Sequence, residues 1–302
     1  MTVVVLAGGT GGAKLARGML DLVGDELVVV ANTGDDIEAY GAHVSPDPDL
    51  CAFWLADRID ERGWGLRGDT FHVMDGLREL GVDVWFNLGD RDLAIGLRRA
   101  ELLRRGARLT EALAEMTRAL GLGARVLPMS DDPVRTWVLA RGSWTPFQEF
   151  MIVQRAEGPV DGVELRGAQA ASAPQEVLDA IASARAIVVG PSNPVISIGP
   201  ILAVPGIRAA LRAADAPVVA VSPLVDGEVL KGPTADFLAW TGQPPTAAGV
   251  ALLLGDVLDG MVCDERRAGP LPVLRTDTLM ADADGRRRVA GAALTFAEAL
   301  AS

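Results

Sequence analysis

The sequence has little of the chemistry on which disulfide-bonded and zinc-binding proteins depend. Its 302 residues include two cysteines, Cys51 and Cys263, and two histidines, His43 and His72. The cysteines lie far apart and form neither a C-x-x-C pair nor a cluster with histidine. This pattern argues against a disulfide scaffold and a structural zinc site. With two histidines, a histidine-rich catalytic metal site is also not expected.

Long apolar runs and an excess of positive charge are missing as well. No stretch approaches the roughly 18 uninterrupted apolar residues that a membrane helix needs. Residues 1–6 lack a basic region and reach glycine after a short apolar run, which predicts a first strand rather than a signal peptide. Lys and Arg total 28 against 40 Asp and Glu, a net charge of −12, which argues against a protein that coats nucleic acid. We expect a cytoplasmic protein that binds neither nucleic acid nor membrane.

The composition, 49% hydrophobic and 23% charged, is that of a folded soluble domain and not of a disordered or coiled-coil chain. Short apolar runs, each ended by Gly, Pro, Asn or Asp, alternate with amphipathic stretches. Such continuous runs are typical of parallel strands covered on both faces. Strands are predicted at 3–7, 27–31, 82–88, 186–189 and 218–221. Helices are predicted from the first glycine-rich turn through Leu22 and at 93–105, 110–120 (with Thr110 as N-cap), 174–184, 206–214, 246–258 and 286–301.

The middle of the chain has a different texture. Segments 136–140, 147–154 and 160–165 are short and partly alternating, without a convincing helix between them. They predict an antiparallel insertion or sheet edge around residues 134–170. Because no repeat or flexible linker divides the chain, we predict one α/β domain over 1–302, with a doubly wound, mainly parallel, Rossmann-like sheet. Ligands of such sheets bind at the carboxyl ends of the strands, where the strand order reverses.

The loop after the first strand, Gly8-Gly9-Thr10-Gly11-Gly12-Ala13-Lys14, opens a helix and so has the context of a phosphate-binding turn. The dinucleotide fingerprint fails because Lys14 stands where its third glycine belongs. The P-loop pattern fails because Leu15 replaces the Ser or Thr that holds magnesium. The second strand ends near Asn32 and not at the acid that would bind an NAD ribose. Phosphate binding is favoured over NAD binding, and a glycine-rich turn needed only for packing stays open.

The segment Ser45-Pro46-Asp47-Pro48-Asp49 combines two prolines with two carboxylates. We interpret it as a stiff loop from which Asp47 and Asp49 project together. Rigid paired carboxylates suit Mg²⁺, which prefers oxygen ligands and bridges to phosphates. A solvated acidic turn is the alternative.

Three further loops carry polar groups at the same predicted edge. Gly89-Asp90-Arg91-Asp92 offers an arginine fork for phosphate, although Arg91 paired with a neighbouring acid on the surface is the alternative. Pro128-Met129-Ser130-Asp131-Asp132-Pro133 pairs acids with proline. Gly190-Pro191-Ser192-Asn193-Pro194 suits a base, ribose or phosphate. The histidines are expected to be structural, and Trp54, Trp64 and Trp85 to be core or pocket-wall residues, with ring stacking left open.

Taken in order, these segments resemble one family. The matching residues are Gly8-Gly9-Thr10-Gly11 with Lys14, Asn32-Thr33 with Asp36, Ser45-Pro46-Asp47 with Asp49, Asp69-Thr70-Phe71, Leu88-Gly89-Asp90-Arg91-Asp92, the segments 127–134, 166–167, 190–194, 197–200 and 219–223, and Asp277-Thr278-Leu279-Met280. The chain is similar to the 2-phospho-L-lactate transferase family of deazaflavin coenzyme biosynthesis, including its phosphoenolpyruvate transferase branch.

The resemblance implies an enzyme. Its expected reaction moves a phospho-three-carbon acid from a guanosine-diphosphate-activated donor to the ribityl hydroxyl of 7,8-didemethyl-8-hydroxy-5-deazariboflavin, with release of GMP, in coenzyme F(420) biosynthesis. It also implies Mg²⁺ and a homodimer. Asp49 corresponds to the family's deazaflavin contact, and a second contact falls within residues 89–92, at Arg91 or Asp92.

The expected site then divides into two sets of residues. Asp47 and Asp49 are the candidates for catalysis and for holding the metal. The candidates for binding nucleotide or phosphate are Gly9, Thr10, Gly11, Lys14, Asn32, Ser192 and Asn193. A nucleotide-sugar-binding regulator of the related gluconeogenesis-factor family is the closest alternative, and an NAD-dependent dehydrogenase a more distant one. Which three-carbon acid the donor carries stays open.

Overall fold

The computed structural model describes residues 1–230 and 232–301 of the chain. Its strands are β1 (Thr2–Ala7), β2 (Leu27–Ala31), β3 (Ile37–Ala39), β4 (Ala42–Val44), β5 (Arg125–Pro128), β6 (Arg135–Ala140), β7 (Ser143–Pro146), β8 (Val160–Arg166), β9 (Ala184–Val189), β10 (Val218–Val221), β11 (Leu224–Val225), β12 (Glu228–Val229), β13 (Gly260–Cys263) and β14 (Val273–Arg275). Its helices are α1 (Gly9–Val23), α2 (Pro46–Leu55), α3 (His72–Glu79), α4 (Asp90–Arg104), α5 (Leu109–Ala119), α6 (Phe147–Ile152), α7 (Gln175–Ala182), α8 (Ile198–Ala203), α9 (Ile207–Ala213), α10 (Thr234–Trp240), α11 (Ala247–Leu254) and α12 (Ala283–Leu300).

Within these residues a seven-stranded parallel sheet has the order β14-β13-β10-β9-β1-β2-β5. The chain leaves β1 toward β2 and β5 on one side and later returns to β9 on the other. The strand order therefore reverses between β1 and β9, where Val5 pairs with both Val29 and Val188. The doubly wound, mainly parallel sheet predicted from the sequence is confirmed.

The central strands are apolar along their whole length because helices cover both faces. Residues 3–7 of β1 and 27–31 of β2 are fully buried. Side chains of α1, α2 and α12 pack on one face of the sheet, and those of α7, α8, α9 and α11 on the other. Each fully buried valine of these strands contributes about 1.5–3 kcal/mol relative to an exposed one.

The antiparallel region predicted around residues 134–170 is present as a three-stranded sheet of order β7-β6-β8. The prediction of a sheet segment at 147–154 is wrong, because this stretch forms α6. Its apolar residues Phe147, Phe150 and Met151 recur at helical spacing and pack against the three-stranded sheet. The helix directs Phe147 and Met151 toward the cleft described below.

The predicted strand at 82–88 is also wrong. This segment is irregular and lies at the surface, and Trp85 and Phe86 line the cleft instead of pairing in the sheet. The sheet position beside β2 belongs to β5, which the sequence analysis missed together with β13 and β14. These strands are only three or four residues long.

The remaining predicted helices are present with shifted ends. Helix α5 begins at Leu109 and follows Arg108, so Thr110 is not its N-cap. Instead, the backbone N–H and hydroxyl of Thr110 both donate to Asp131. Helix α4 begins at Asp90, three residues earlier than predicted. Among the described residues no helix has the length and apolar character that crossing a bilayer requires.

Candidate active site

A cleft of about 1030 Å³ opens at the carboxyl ends of β1, β9 and β10, at the reversal of the strand order. It brings together loops that are more than 250 residues apart in sequence. Most of the predicted site residues line this cleft: Gly9, Thr10, Gly11, Lys14, Asp47, Asp49, Asp92, Ser192 and Asn193. The position agrees with the general rule for ligand binding in open α/β sheets.

Glycines allow the loops after β1 and β9 to touch. A Cβ on Gly11 would lie 2.1 Å from the Pro191 carbonyl oxygen, and one on Gly12 would lie 2.7 Å from Ser192 Oγ. The two loops are joined by a hydrogen bond from the Gly8 N–H to Ser192 Oγ at 3.3 Å. The glycine run thus has the packing role that the sequence left open, and it also places the first turn of α1 at the cleft.

The segment predicted as a stiff acidic loop is the first turn of α2. Pro46 occupies the start of the helix, where its missing N–H has no cost. Asp47 and Asp49 therefore project from a helix N-terminus and not from a loop. Both carboxylates are buried, with 5% and 4% of their surface exposed.

Asp47 is held by both neighbouring strand ends. Its Oδ1 accepts the Gly9 N–H at 2.7 Å, and its Oδ2 accepts the Asn32 Nδ2 amide at 2.9 Å. Burial raises the pKa of Asp47 to about 6, although the hydrogen bonds from Asn32 and Gly9 oppose that rise. Asn32 is fully buried and does not line the cleft, so its contact with Asp47 serves to orient that carboxylate.

Asp49 pairs with a buried arginine that the sequence analysis did not identify. Arg99 Nη2 donates to Asp49 Oδ1, and Arg99 is fully buried. Burial raises the pKa of Asp49, while the charge and hydrogen bond of Arg99 oppose the rise. No sequence signal short of the packing itself marks this arginine among its neighbours on α4.

Asp35, a further carboxylate missed from the sequence, completes the acidic cluster. It is 6% exposed, and its Oδ1 finds no hydrogen-bond partner among the described residues. Burial and the charge of Asp47 raise the pKa of Asp35 well above its ordinary value. The next residue, Asp36, accepts hydrogen bonds from Ser45 Oγ at 2.7 Å and pairs with His43 Nε2 at 3.0 Å. The signal was available, since Asp35 and Asp36 belong to the polar loop that follows β2.

The two residues predicted from the segment 89–92 separate. Asp92 lines the cleft, and burial together with the charge of Asp49 raises the pKa of Asp92 to about 7. Arg91 is exposed and outside the cleft lining, and its backbone N–H donates to Asp69. A deazaflavin contact at Arg91 stays a prediction.

The cationic and amide candidates are tied into the walls. Lys14 Nζ donates to the Met280 carbonyl oxygen at 3.2 Å and lies 5.8 Å from the ring centre of Trp54. Asn193 Oδ1 accepts the backbone N–H of Val195 at 2.9 Å, which shapes the loop after β9. Both side chains line the cleft.

Four of the aromatic residues that line the cleft are named here the aromatic wall: Trp64, Phe71, Trp85 and Phe86. The rings of Trp85 and Phe86 are 5.4 Å apart, and the guanidinium of Arg62 lies 5.9 Å from the ring centre of Phe71. Trp64 and Trp85 are thus pocket-wall residues, whereas Trp54 lies outside the lining.

The carboxylates give a partial fit to a divalent metal ion. The described part of the chain holds no group of three His, Cys, Asp or Glu side chains arranged to bind a metal by themselves. However, burial destabilises the anions of Asp35, Asp47 and Asp49, and a cation would offset that cost. The donor set therefore suits Mg²⁺, which commonly takes one or two carboxylates and completes its shell with water and substrate phosphates.

The fold has a counterpart among solved structures. A crystal structure of a UPF0052 family member from Bacillus halodurans aligns with a TM-score of 0.62 and 17% identity, covering 97% of this chain and 98% of that one. At this identity the likeness concerns the fold alone.

Sequence comparison is more specific. A sequence model of the family described as 2-phospho-L-lactate transferase CofD matches residues 3–279. The 2-phospho-L-lactate transferase of Methanosarcina mazei is 38% identical over 297 residues, covering 95% of this chain and 97% of the relative. The phosphoenolpyruvate transferases of Kitasatospora aureofaciens and Mycobacterium leprae are 40% and 42% identical, with coverage of 99% and 83% of this chain and 98% and 82% of the relatives. Identity of this extent along nearly the whole chain shows that it belongs to the 2-phospho-L-lactate transferase CofD family and is a transferase.

Proposed function

We propose that the enzyme transfers a phospho-three-carbon acid, phosphoenolpyruvate or 2-phospho-L-lactate, from a guanosine-diphosphate-activated donor to the ribityl hydroxyl of 7,8-didemethyl-8-hydroxy-5-deazariboflavin. GMP is released, and the product belongs to coenzyme F(420) biosynthesis. The relatives named for each of the two acids are similarly distant, at 38% and 40% identity. Both acids therefore remain part of the proposal.

One observation carries the proposal. A single cleft joins a glycine loop at a helix N-terminus, a cluster of buried carboxylates and the aromatic wall. The first suits the phosphates of a nucleotide donor, and the last suits a flat ring system. The carboxylates lie with the glycine loop, since Gly9 donates directly to Asp47. This contact supports the proposal that the donor phosphates and the acceptor alcohol bind side by side.

The proposed chemistry is a displacement at phosphorus. The ribityl hydroxyl oxygen attacks the phosphorus of the phospho-acid group, the bond from that phosphorus to the oxygen of GMP breaks, and GMP leaves with the electron pair. The hydroxyl proton passes to a carboxylate, for which Asp47 and Asp49 are the candidates. Such reactions depend mainly on positioning and on neutralising charge.

Mg²⁺ is proposed as the cofactor, and Asp47 and Asp49 are the residues that would hold it. When bound, it supplies positive charge for the diphosphate. Lys14 and the N–H groups of Gly9, Thr10 and Gly11 are proposed to share the negative charge of the donor, and Ser192 and Asn193 to contact the nucleoside. A homodimer in the cytoplasm is part of the same proposal.

Thermal unfolding in the presence of Mg²⁺ tests ligand choice, with the deazaflavin, GDP, a UDP-sugar and NAD added separately. A ligand present at about 100 times its Kd stabilises the folded protein by roughly 2.7 kcal/mol. We expect the deazaflavin and GDP to raise the Tm. A rise with the UDP-sugar alone would contradict the proposal and favour a nucleotide-sugar-binding regulator.

A transfer assay then tests the carboxylates. Asp47→Asn and Asp49→Asn should each lower transfer by about 100-fold or more without loss of the folded state. The matched control is Asp161→Asn, at an exposed position of β8, which should keep wild-type turnover. Near wild-type turnover in both cleft variants would exclude these residues from catalysis.

A further inference from the structure

Arg99 is a fully buried cation that contacts a residue of the cleft but does not itself line the cleft. Its Nη2 donates to Asp49, and its Nη1 donates to the His43 carbonyl oxygen at 2.8 Å. Its Nε is buried without a hydrogen-bond partner in the described residues. The guanidinium of this α4 residue therefore links three elements: α4 itself, the first turn of α2 and the β3–β4 hairpin.

The sequence of α4 explains how the guanidinium reaches this position. Asp92, Leu93, Gly96 and Arg99 recur at spacings of one to four residues and lie on one face of the helix. A Cβ on Gly96 would lie 3.0 Å from Ala42 Cβ and 3.1 Å from the His43 carbonyl oxygen. Glycine thus allows α4 to pack closely on the hairpin. Asp92, one end of this face, is at the cleft, and Arg99 lies two turns further along.

The charges around Arg99 are unbalanced. Four aspartates are buried in this part of the molecule: Asp35, Asp36, Asp47 and Asp49. Among residues 1–230 and 232–301, Arg99 is the only Lys or Arg that is buried. It donates a hydrogen bond to one of the four aspartates, Asp49. A buried ion pair is a poor source of stability, because desolvation of both groups offsets their attraction. The pair is better explained by the geometry that it imposes on Asp49.

We propose that Arg99 is a positioning residue that fixes the Asp49 carboxylate for the deazaflavin acceptor without touching either substrate. The inference rests on the proposed function, because Asp49 is the expected acceptor contact. Arg99 donates to Asp49 Oδ1, and this contact restricts the rotation of the carboxylate at the cleft. A lysine carries its three donors on a single nitrogen, whereas arginine reaches the two acceptors with separate nitrogens, Nη1 to His43 and Nη2 to Asp49. Lysine therefore does not reproduce the planar fork that spans both contacts.

The test compares Arg99→Lys and Arg99→Met with matched changes at the next residue, Arg98→Lys and Arg98→Met. Arg98 is on the solvent side of α4 and pairs with Glu101 and Glu115. Deazaflavin binding is followed by its fluorescence, GDP binding by calorimetry, and transfer by KM and kcat for each substrate. We expect Arg99→Met to weaken deazaflavin binding by about tenfold or more, Arg99→Lys to weaken it less, and GDP binding to stay within about twofold.

A second measurement separates positioning from support of the fold. In an Asp49→Ala background, Arg99→Lys should have no further effect on deazaflavin affinity, because the oxygen through which it acts is gone. Additive losses in the double variant, or equal losses of GDP and deazaflavin affinity with a lower Tm, would overturn the inference. If Arg99→Met does not fold, Arg99→Lys and this double variant decide the matter.

The two proposals fail in different ways. A wild-type protein that binds deazaflavin and GDP, with Arg99 variants that bind both normally, would overturn the role of Arg99 and leave the proposed function standing. A wild-type protein that binds neither would overturn the proposed function and the inference with it.

Discussion

Asp69 caps the start of α4, and Asp90, the first residue of α4, caps the start of α3. The Asp69 carboxylate accepts the backbone N–H of Arg91 at 2.9 Å, at the start of α4. The Asp90 carboxylate accepts the N–H groups of His72 at 3.1 Å and Val73 at 3.0 Å, at the start of α3. Anionic side chains at helix N-termini satisfy donors that the helix leaves unpaired and complement its dipole. The exchange fixes the segment that carries the aromatic wall against α4.

Asp69→Ala should lower the free energy of unfolding by about 1 kcal/mol, the usual cost of losing a helix cap. Asp69→Asn should retain part of that stability, because the amide oxygen still accepts a hydrogen bond. Urea denaturation measures both changes, with Asp83→Ala as an exposed control from the same segment. Equal stability of Asp69→Ala and Asp83→Ala would contradict the capping role.

The sheet was predictable because its strands are buried on both faces. Runs such as residues 27–31 and 218–221 carry no polar residue, and each ends at a residue that breaks strands. The loops that follow them were therefore placed correctly at one edge, and Asp47, Asp92 and Asn193 were found among the cleft residues. The same rule gave a wrong strand at 82–88, because apolar residues that line a cleft have the same sequence pattern as a buried strand.

The parts that were missed depend on contacts between distant segments. Two prolines made Ser45–Asp49 appear to be a loop, although proline is well accepted in the first turn of a helix. Arg99 has arginine neighbours on α4, and only packing around Gly96 distinguishes it from them. Asp35 Oδ1 is buried without a hydrogen-bond partner in the described residues. This too results from the packing of distant segments around the cleft, so the sequence pattern does not show it.

Gly11→Ala should destabilise the protein and damage the cleft, because its Cβ would lie 2.1 Å from the backbone carbonyl of Pro191. Backbone cannot yield as a flexible side chain does, so we expect a loss of about 1–3 kcal/mol. Gly76→Ala in α3 is the control, because its Cβ would meet no atom within 4 Å. This substitution should raise the free energy of unfolding by about 0.5–1 kcal/mol. Both values come from urea denaturation. A tolerated Gly11→Ala would show that the loops after β1 and β9 can separate.

The ligand-free, metal-free enzyme should lose stability as the pH rises from about 4 to 8. Burial raises the pKa of Asp47 to about 6 and that of Asp92 to about 7 from an ordinary 3.8. Between these values the folded protein keeps protons that the unfolded chain releases. Burial lowers the pKa of His43, but hydrogen bonds to Asp36 and Glu38 outweigh it and raise the pKa above 6.5. The contribution of His43 is therefore complete below pH 6.5 and is lost above it.

Glu38 acts in the opposite direction and at lower pH. Its hydrogen bond with His43 lowers the pKa of Glu38 from 4.5 to about 2, so its contribution is lost as the pH falls between these values. Urea denaturation at about pH 5 and about pH 8 should thus give the higher stability at the lower pH. Asp92→Asn should reduce the difference, and the exposed control Asp161→Asn should not. A difference that is unchanged in Asp92→Asn would show that Asp92 ionises normally.

Trp64 should contribute to acceptor binding and little to stability. Its side chain lines the cleft within the aromatic wall and is 52% exposed. Stacking of a flat heterocycle on an aromatic side chain is worth about 1–3 kcal/mol, so Trp64→Ala should weaken deazaflavin binding by about tenfold. Trp144→Ala is the matched control, because Trp144 is 37% exposed on β7 and outside the cleft lining. Fluorescence titration with the deazaflavin measures both variants. Equal affinities would remove Trp64 from the acceptor site, whereas a selective loss would support binding of the ring of the acceptor against the aromatic wall.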